Sequence, residues 1–168
     1  MLSGGRPMRK YRVYVDTSAI GGCEDEEYAD DSRRLFDGAR SGSALILVSA
    51  IVARELFSAP PKVIAVIEGL PPGCLEEVPI TQEVLALRDA YVAAGVVGPQ
   101  RLDDAGHVAA ATVARADAIV SWNFRHIVRL DKIRAYNQVN LLQGYGILTI
   151  LTPKEVRFDE PQEDSEDI

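Results

Sequence analysis

The chain has 168 residues, 47% of them hydrophobic and 26% charged, with a formal net charge of −7. That composition fits one soluble globular domain able to bury a single sizeable core. The longest apolar runs, such as 44–48 and 147–151, are too short to cross a bilayer, and Cys23 and Cys74 have neither metal-site spacing nor a disulfide framework, so a reduced cytoplasm is the simplest compartment.

Residues 1–10 are polar, basic and contain Gly and Pro. They are expected to form a flexible lead-in without a secretory signal, with Met8 as a second candidate start. Residues 11–15 alternate and are β-rich, which predicts a first strand ending on Asp16-Thr17-Ser18. Gly21-Gly22 and the acidic run after it predict a loop, and Leu35, Phe36 and Ala39 predict a helix over 28–40. After the break at Ser41-Gly42-Ser43, the continuous apolar stretch 44–48 predicts a strand covered on both faces.

Ser49 is the expected N-cap of a helix over 50–57 that carries Glu55. Pro60-Pro61 ends that helix and a short one follows over 62–69. Pro71 to Gly73 make a turn and residues 75–78 a short strand. Thr81 caps a helix over 82–94, and 95–99 form a loop. Asp103 and Asp104 open an alanine-rich helix running to Ala114, where carboxylates suit the unpaired N–H groups. Residues 117–121 predict a buried strand ending in Trp122-Asn123-Phe124. A helix over 127–142, a turn at 144–146 and a strand over 147–151 follow. The segment 157–168 is acidic and expected to be disordered.

This alternation predicts an α/β domain, a three-layer α/β/α arrangement around a mostly parallel sheet. Functional residues of such sheets gather at the carboxyl ends of the strands. Asp16, Glu55 and Asp104 all stand where a loop or helix begins beside a strand end, and Asn123 follows the fourth predicted strand. Carboxylates gathered in one cleft repel each other unless a cation offsets them. Mg²⁺ or Mn²⁺, with their preference for oxygen ligands, would do so and could activate water for phosphodiester cleavage. Taken singly, each acid is equally well a cap, a turn residue or a solvated side chain.

The segments VDTSAI (15–20), VSAIVARELF (48–57) and DDAGHVAAATVARADAIVSWNF (103–124), in this order, resemble the PIN-domain ribonuclease family, of which VapC-like toxins are small members. The resemblance spans residues 11–156, the expected single domain. It implies a metal-dependent endoribonuclease, the toxin of a toxin–antitoxin pair, with a homodimer and a cognate antitoxin as partners. It assigns the metal to Asp16, Glu55 and Asp104, with Asp103 as the runner-up to Asp104. Asn123 stands where the family has a fourth acid, so the site carries one negative charge fewer. A catalytically silent module binding RNA or protein is the alternative.

Ser121, Arg125 and Arg129 are the candidate RNA contacts. The basic stretch Arg125, Arg129, Lys132 and Arg134 reads equally as a phosphate-binding rim and as a solvated helix face. Trp122 and Phe124 are expected in the core, with base stacking as the alternative. His107 is expected to pack or hydrogen-bond rather than ligate, and Asp117 to be structural. A phosphatase of small phosphoesters is a minor option, since Ser18 occupies the place of the second acid it would need. Asn137, Gln138 and Asn140 with the 144–146 turn form a polar cluster to which the sequence assigns no role.

Overall fold

The structure, a computed structural model, describes residues 10–158. Most of the expected lead-in and acidic tail lie outside the described residues. Five parallel strands form one sheet in the order β3-β2-β1-β4-β5. They are β1 (Tyr11–Val15), β2 (Ala44–Ser49), β3 (Leu75–Val78), β4 (Ala118–Val120) and β5 (Thr149–Leu151). The register sets Tyr14 beside Leu47 on one side and Ile119 on the other. Val13, Tyr14, Val15, Ile46, Leu47, Ile119 and Val120 are all buried, so the central strands are covered on both faces, as parallel sheets require. Among the described residues seven helices supply that cover: α1 (Thr17–Gly21), α2 (Ala29–Arg40), α3 (Ala50–Leu56), α4 (Pro61–Glu68), α5 (Gln82–Ala93), α6 (Leu102–Val113) and α7 (Leu130–Leu142).

The chain runs outward from β1 to β2 and β3, then returns to place β4 on the other side of β1. That reversal opens a crevice at the carboxyl ends of β1 and β4. Three helix starts are side-chain capped, two of them, at Ser49 and Thr81, as the sequence predicts. The Ser49 hydroxyl accepts from Ile51 N, Thr81 from Val84 N, and the Asp16 carboxylate from Ala19 N.

The last of these caps creates α1, a one-turn helix where the sequence predicts only a loop. Its chain continues through a 3₁₀ turn at Gly22–Glu24. Gly22 is needed there, because a Cβ would lie 2.4 Å from Ser32 Oγ and 2.6 Å from Trp122 Nε1. Trp122 stacks on Tyr28 at 4.1 Å but is only half-buried, and Phe124 is 48% exposed, so neither joins the core that the sequence predicts for both.

Two elements start later than the sequence predicts, and the reason is a polar side chain in each case. Helix α7 begins at Leu130 rather than 127 because Asn123 gathers the preceding turn. Its carbonyl accepts from Ile127 N and Val128 N, and its side-chain oxygen from His126 N. Strand β5 begins at Thr149 because Asn137 pairs with the backbone of Leu148 in both directions, at 2.7 and 3.0 Å. Asn140 is fully buried, accepts from the Tyr91 hydroxyl and donates to Thr112 Oγ1 at 3.3 Å. The polar cluster without a role in the sequence thus ties α7 to α5, α6 and the β5 turn. Asp117 is structural as read: its carboxylate accepts from Arg12 N at 2.8 Å. Phe158 packs against Tyr11 with ring centroids 6.3 Å apart.

Candidate functional site

Asp16 leaves β1 directly into the crevice and is 4% exposed. A carboxylate so buried needs donors, and it has three. Oδ1 accepts from Ser18 Oγ at 2.7 Å and Ala19 N at 3.0 Å, and Oδ2 accepts from Ser121 Oγ at 2.5 Å. The cap role and the site role therefore coincide in one residue: Oδ1 closes α1, and Oδ2 keeps an open acceptor direction, since each carboxylate oxygen has about two.

Ser121, at the end of β4, is fully buried. This corrects its reading as an RNA contact. Besides holding Asp16, its oxygen accepts from Asn123 N at 2.9 Å and lies 3.3 Å from Ser18 Oγ. Ser18 Oγ in turn accepts from Trp122 N at 2.9 Å. The ends of β1 and β4 are thus laced by two serines around one acid, a role that residue type alone does not announce.

Glu55 reaches the crevice from the last turn of α3. Its Oε1 accepts from His107 Nε2 at 2.5 Å and Thr17 Oγ1 at 3.1 Å, while Oε2 accepts no hydrogen bond among the described residues. Burial pushes its carboxyl up, but the hydrogen bonds from His107 and Thr17 outweigh that and hold it below the usual carboxylate range. His107, expected to pack or hydrogen-bond, does both: it is 2% exposed and also meets the Tyr14 hydroxyl at 2.7 Å.

Asp104, in the first turn of α6, completes the group. Burial raises its carboxyl above the ordinary value and the neighbouring Asp16 adds to that, against the lowering effect of His126, His107 and a hydrogen bond with Asn123. Asp103, the runner-up, is instead ion-paired with Arg54 across the α3–α6 contact. The fourth expected member, Asn123, spends its amide oxygen on His126 N at 2.9 Å and partners Asp104. It is a neutral neighbour to that acid and not an equivalent fourth carboxylate.

The basic stretch divides. Arg129 is exposed and paired with Asp131 through two hydrogen bonds of 2.6 and 2.8 Å, a surface pair that leaves it within reach of solvent. Lys132 donates to Val96 O at 2.5 Å. Arg125 and Arg134 remain exposed. Burial and then the positive charge of Arg101, with smaller effects from Lys132 and Arg125, hold His126 below the ordinary histidine value despite Asp104 nearby. Arg101, just ahead of α6, therefore belongs to the rim, although the sequence singles out only the later basic run.

The donor chemistry suits a hard divalent cation. Asp16 Oδ2, Glu55 Oε2 and the Asp104 carboxylate are oxygens with unused acceptor capacity. Among the described residues no three His, Cys, Asp or Glu side chains stand close enough to enclose an ion by themselves. Mg²⁺-type binding does not demand that, because the ion keeps several waters and takes one or two carboxylates.

No protein-family model matches the chain, and no curated protein matches it in sequence. Solved structures do. The crystal structure of VapBC2 from Rickettsia felis, bound to a DNA fragment from their promoter, aligns over 84% of this chain and 98% of its own with a TM-score of 0.52 and 12% identity. The crystal structure of FitAcB from Neisseria gonorrhoeae aligns over 86% of this chain and 99% of its own with a TM-score of 0.53 and 14% identity. At such identities the likeness establishes the fold, and it is the PIN-like α/β/α fold that the sequence motifs resemble.

Proposed function

We propose that this protein is a Mg²⁺- or Mn²⁺-dependent endoribonuclease of the PIN type and the toxin of a toxin–antitoxin pair. The observation that carries the reading is the linkage of the three acids at the carboxyl end of β1: Glu55 accepts from Thr17, next to Asp16, and from His107, on the helix that carries Asp104, and the charge of Asp16 acts on Asp104. The likeness in fold to VapBC2 and FitAcB supports the toxin assignment, and with it a partner antitoxin; the homodimer rests on the resemblance of the sequence motifs alone. Two buried free cysteines and the lack, among the described residues, of any helix long and apolar enough to cross a membrane accord with a cytoplasmic protein.

In this reading Asp16, Glu55 and Asp104 hold the ion. When bound, it supplies positive charge and Lewis acidity toward phosphate and water. Ser18, Ser121 and the Ala19 N–H aim Asp16, and Thr17 and His107 aim Glu55. Arg101 and Arg125 form the cationic rim that receives the RNA backbone, giving a chain of net charge −7 a local field of the right sign. Phe124, exposed beside the site, offers a face on which a base stacks.

The test is cleavage of single-stranded RNA with Mn²⁺ by the purified protein and by Asp16→Ala. Activity surviving in the variant overturns the assignment. A second reading, a silent PIN-like module that binds RNA or protein, is favoured by Asn123 at the fourth acidic position. Calorimetric titration of the wild-type protein with Mn²⁺ separates the two, since the silent module binds none.

A further inference from the structure

A chain of four hydrogen bonds runs behind the crevice and ends on Glu55. It starts at the Ile51 N–H, which donates to Ser49 Oγ at 3.3 Å. Ser49 Oγ and the Tyr14 hydroxyl are 2.8 Å apart, the Tyr14 hydroxyl and His107 Nδ1 2.7 Å, and His107 Nε2 and Glu55 Oε1 2.5 Å. Ser49, Tyr14 and His107 are each at most 2% exposed, so every polar atom among them must find its partner inside the chain.

That requirement sets the direction of every proton. Glu55, an ionised carboxylate, can only accept, so His107 Nε2 carries hydrogen. If Nδ1 accepts, the Tyr14 hydroxyl donates to it, Ser49 donates to Tyr14, and Ser49 accepts from Ile51. Each donor then has an acceptor. If Nδ1 carried a hydrogen instead, Tyr14 would donate to Ser49, and the Ser49 hydroxyl hydrogen would be buried with no acceptor left. An unmet buried donor costs about 1–3 kcal/mol.

We infer that His107 is the positioning residue of Glu55: Tyr14 holds its ring as the Nε2–H tautomer, and the ring pins Glu55 Oε1 so that Oε2 faces the crevice. This role rests on the metal reading of the site. It explains why α6 carries a histidine one turn beyond Asp104, on the face toward the sheet. One helix supplies an acid to the site and, through His107, aims a second acid that arrives from α3. Tyr14 and Ser49 extend the support to the buried ends of β1 and β2.

Two measurements test it. Long-range ¹H–¹⁵N correlation on the metal-free wild-type protein reads the His107 tautomer directly, with only one other histidine in the chain to distinguish. The Nε2–H form is expected, and an Nδ1–H form overturns the inference. Calorimetric titration with Mn²⁺ then compares the wild type with His107→Gln, whose amide nitrogen falls near Nε2, and His107→Asn, whose amide falls near Nδ1. Loss of a partner that orients a metal ligand typically weakens binding about 10–100-fold. That loss is expected in His107→Asn, with His107→Gln restored to within several-fold of wild type. Wild-type affinity in folded His107→Asn, or an equal loss in both variants, overturns the role of His107 alone. A wild-type protein that binds no Mn²⁺ overturns the metal reading, and the positioning role with it.

Discussion

Ser121 donates its hydroxyl to Asp16 Oδ2 at 2.5 Å, joining the end of β4 to the end of β1 across 105 residues of sequence. The bond sits where the sheet topology reverses, so the crevice and the acid that occupies it are held by the same contact. Ser121→Ala removes that donor from a buried charge and also strands Asn123 N. A hydrogen bond to a charged group is worth about 1.5–3 kcal/mol, so the melting temperature should fall by about 3–12 °C for a chain of this size. A melt within 1 °C of wild type would show that Asp16 does not depend on Ser121.

Asn123→Asp restores an acid at the fourth position. It also replaces a neutral partner of Asp104 with a like charge. In EDTA the variant should melt below wild type, because the two carboxylates repel. Saturating Mn²⁺ should raise its melting temperature by more than it raises that of wild type, through tighter binding to the native state. Equal Mn²⁺-induced shifts in the two proteins would count against a cation beside residue 123.

Asp104→Asn should stabilise the metal-free protein at neutral pH. Burial, then the charge of Asp16 in the same sense, raises the Asp104 carboxyl over its unfolded value. The ionised form is therefore disfavoured in the fold. The penalty is full above the folded pKa, shrinks as pH falls through it, and vanishes below the unfolded value of about 3.9. The variant's thermal advantage, a few degrees at pH 7, should close in acid, and it should lose the response to Mn²⁺. No difference between the two proteins at any pH would refute a strained Asp104.

Two glycines separate close packing from simple propensity. In Gly22→Ala the new methyl meets Ser32 Oγ and the Trp122 indole under 3 Å, both already joined to each other by a 2.8 Å hydrogen bond. Overpacking of this kind costs about 1–3 kcal/mol. In Gly106→Ala the neighbour is Ile51 Cδ1 at 2.7 Å, the free end of a flexible side chain. The helix gain of about 0.5–1 kcal/mol offsets that adjustment, so chemical denaturation should find Gly106→Ala near wild type and Gly22→Ala well below it.

The order of strands and helices was legible in the sequence because it rests on local signals. Apolar runs of four or five residues, Ser49 and Thr81 as caps, and the Pro and Gly breaks act over one or two turns of chain. Asp16, Glu55 and Asp104 were legible as candidates for the same reason, each standing beside an element boundary. Elements whose starts depend on distant side chains were misjudged: α7 waits for Asn123 to complete its turn, and β5 waits for Asn137 to release Leu148.

What the tertiary structure alone decided is how each polar atom is satisfied. Ser121 holds an acid instead of RNA, Arg129 faces Asp131, Asp103 faces Arg54, and His107 hands its Nε2 to Glu55. Such assignments follow from burial, which forces each donor to take whichever acceptor the packing brings near, and those acceptors lie 49 to 105 residues away for all but Arg129. Patterning along the chain determined which elements form. Proximity across the sheet determined which side chains the site contains and which way they point.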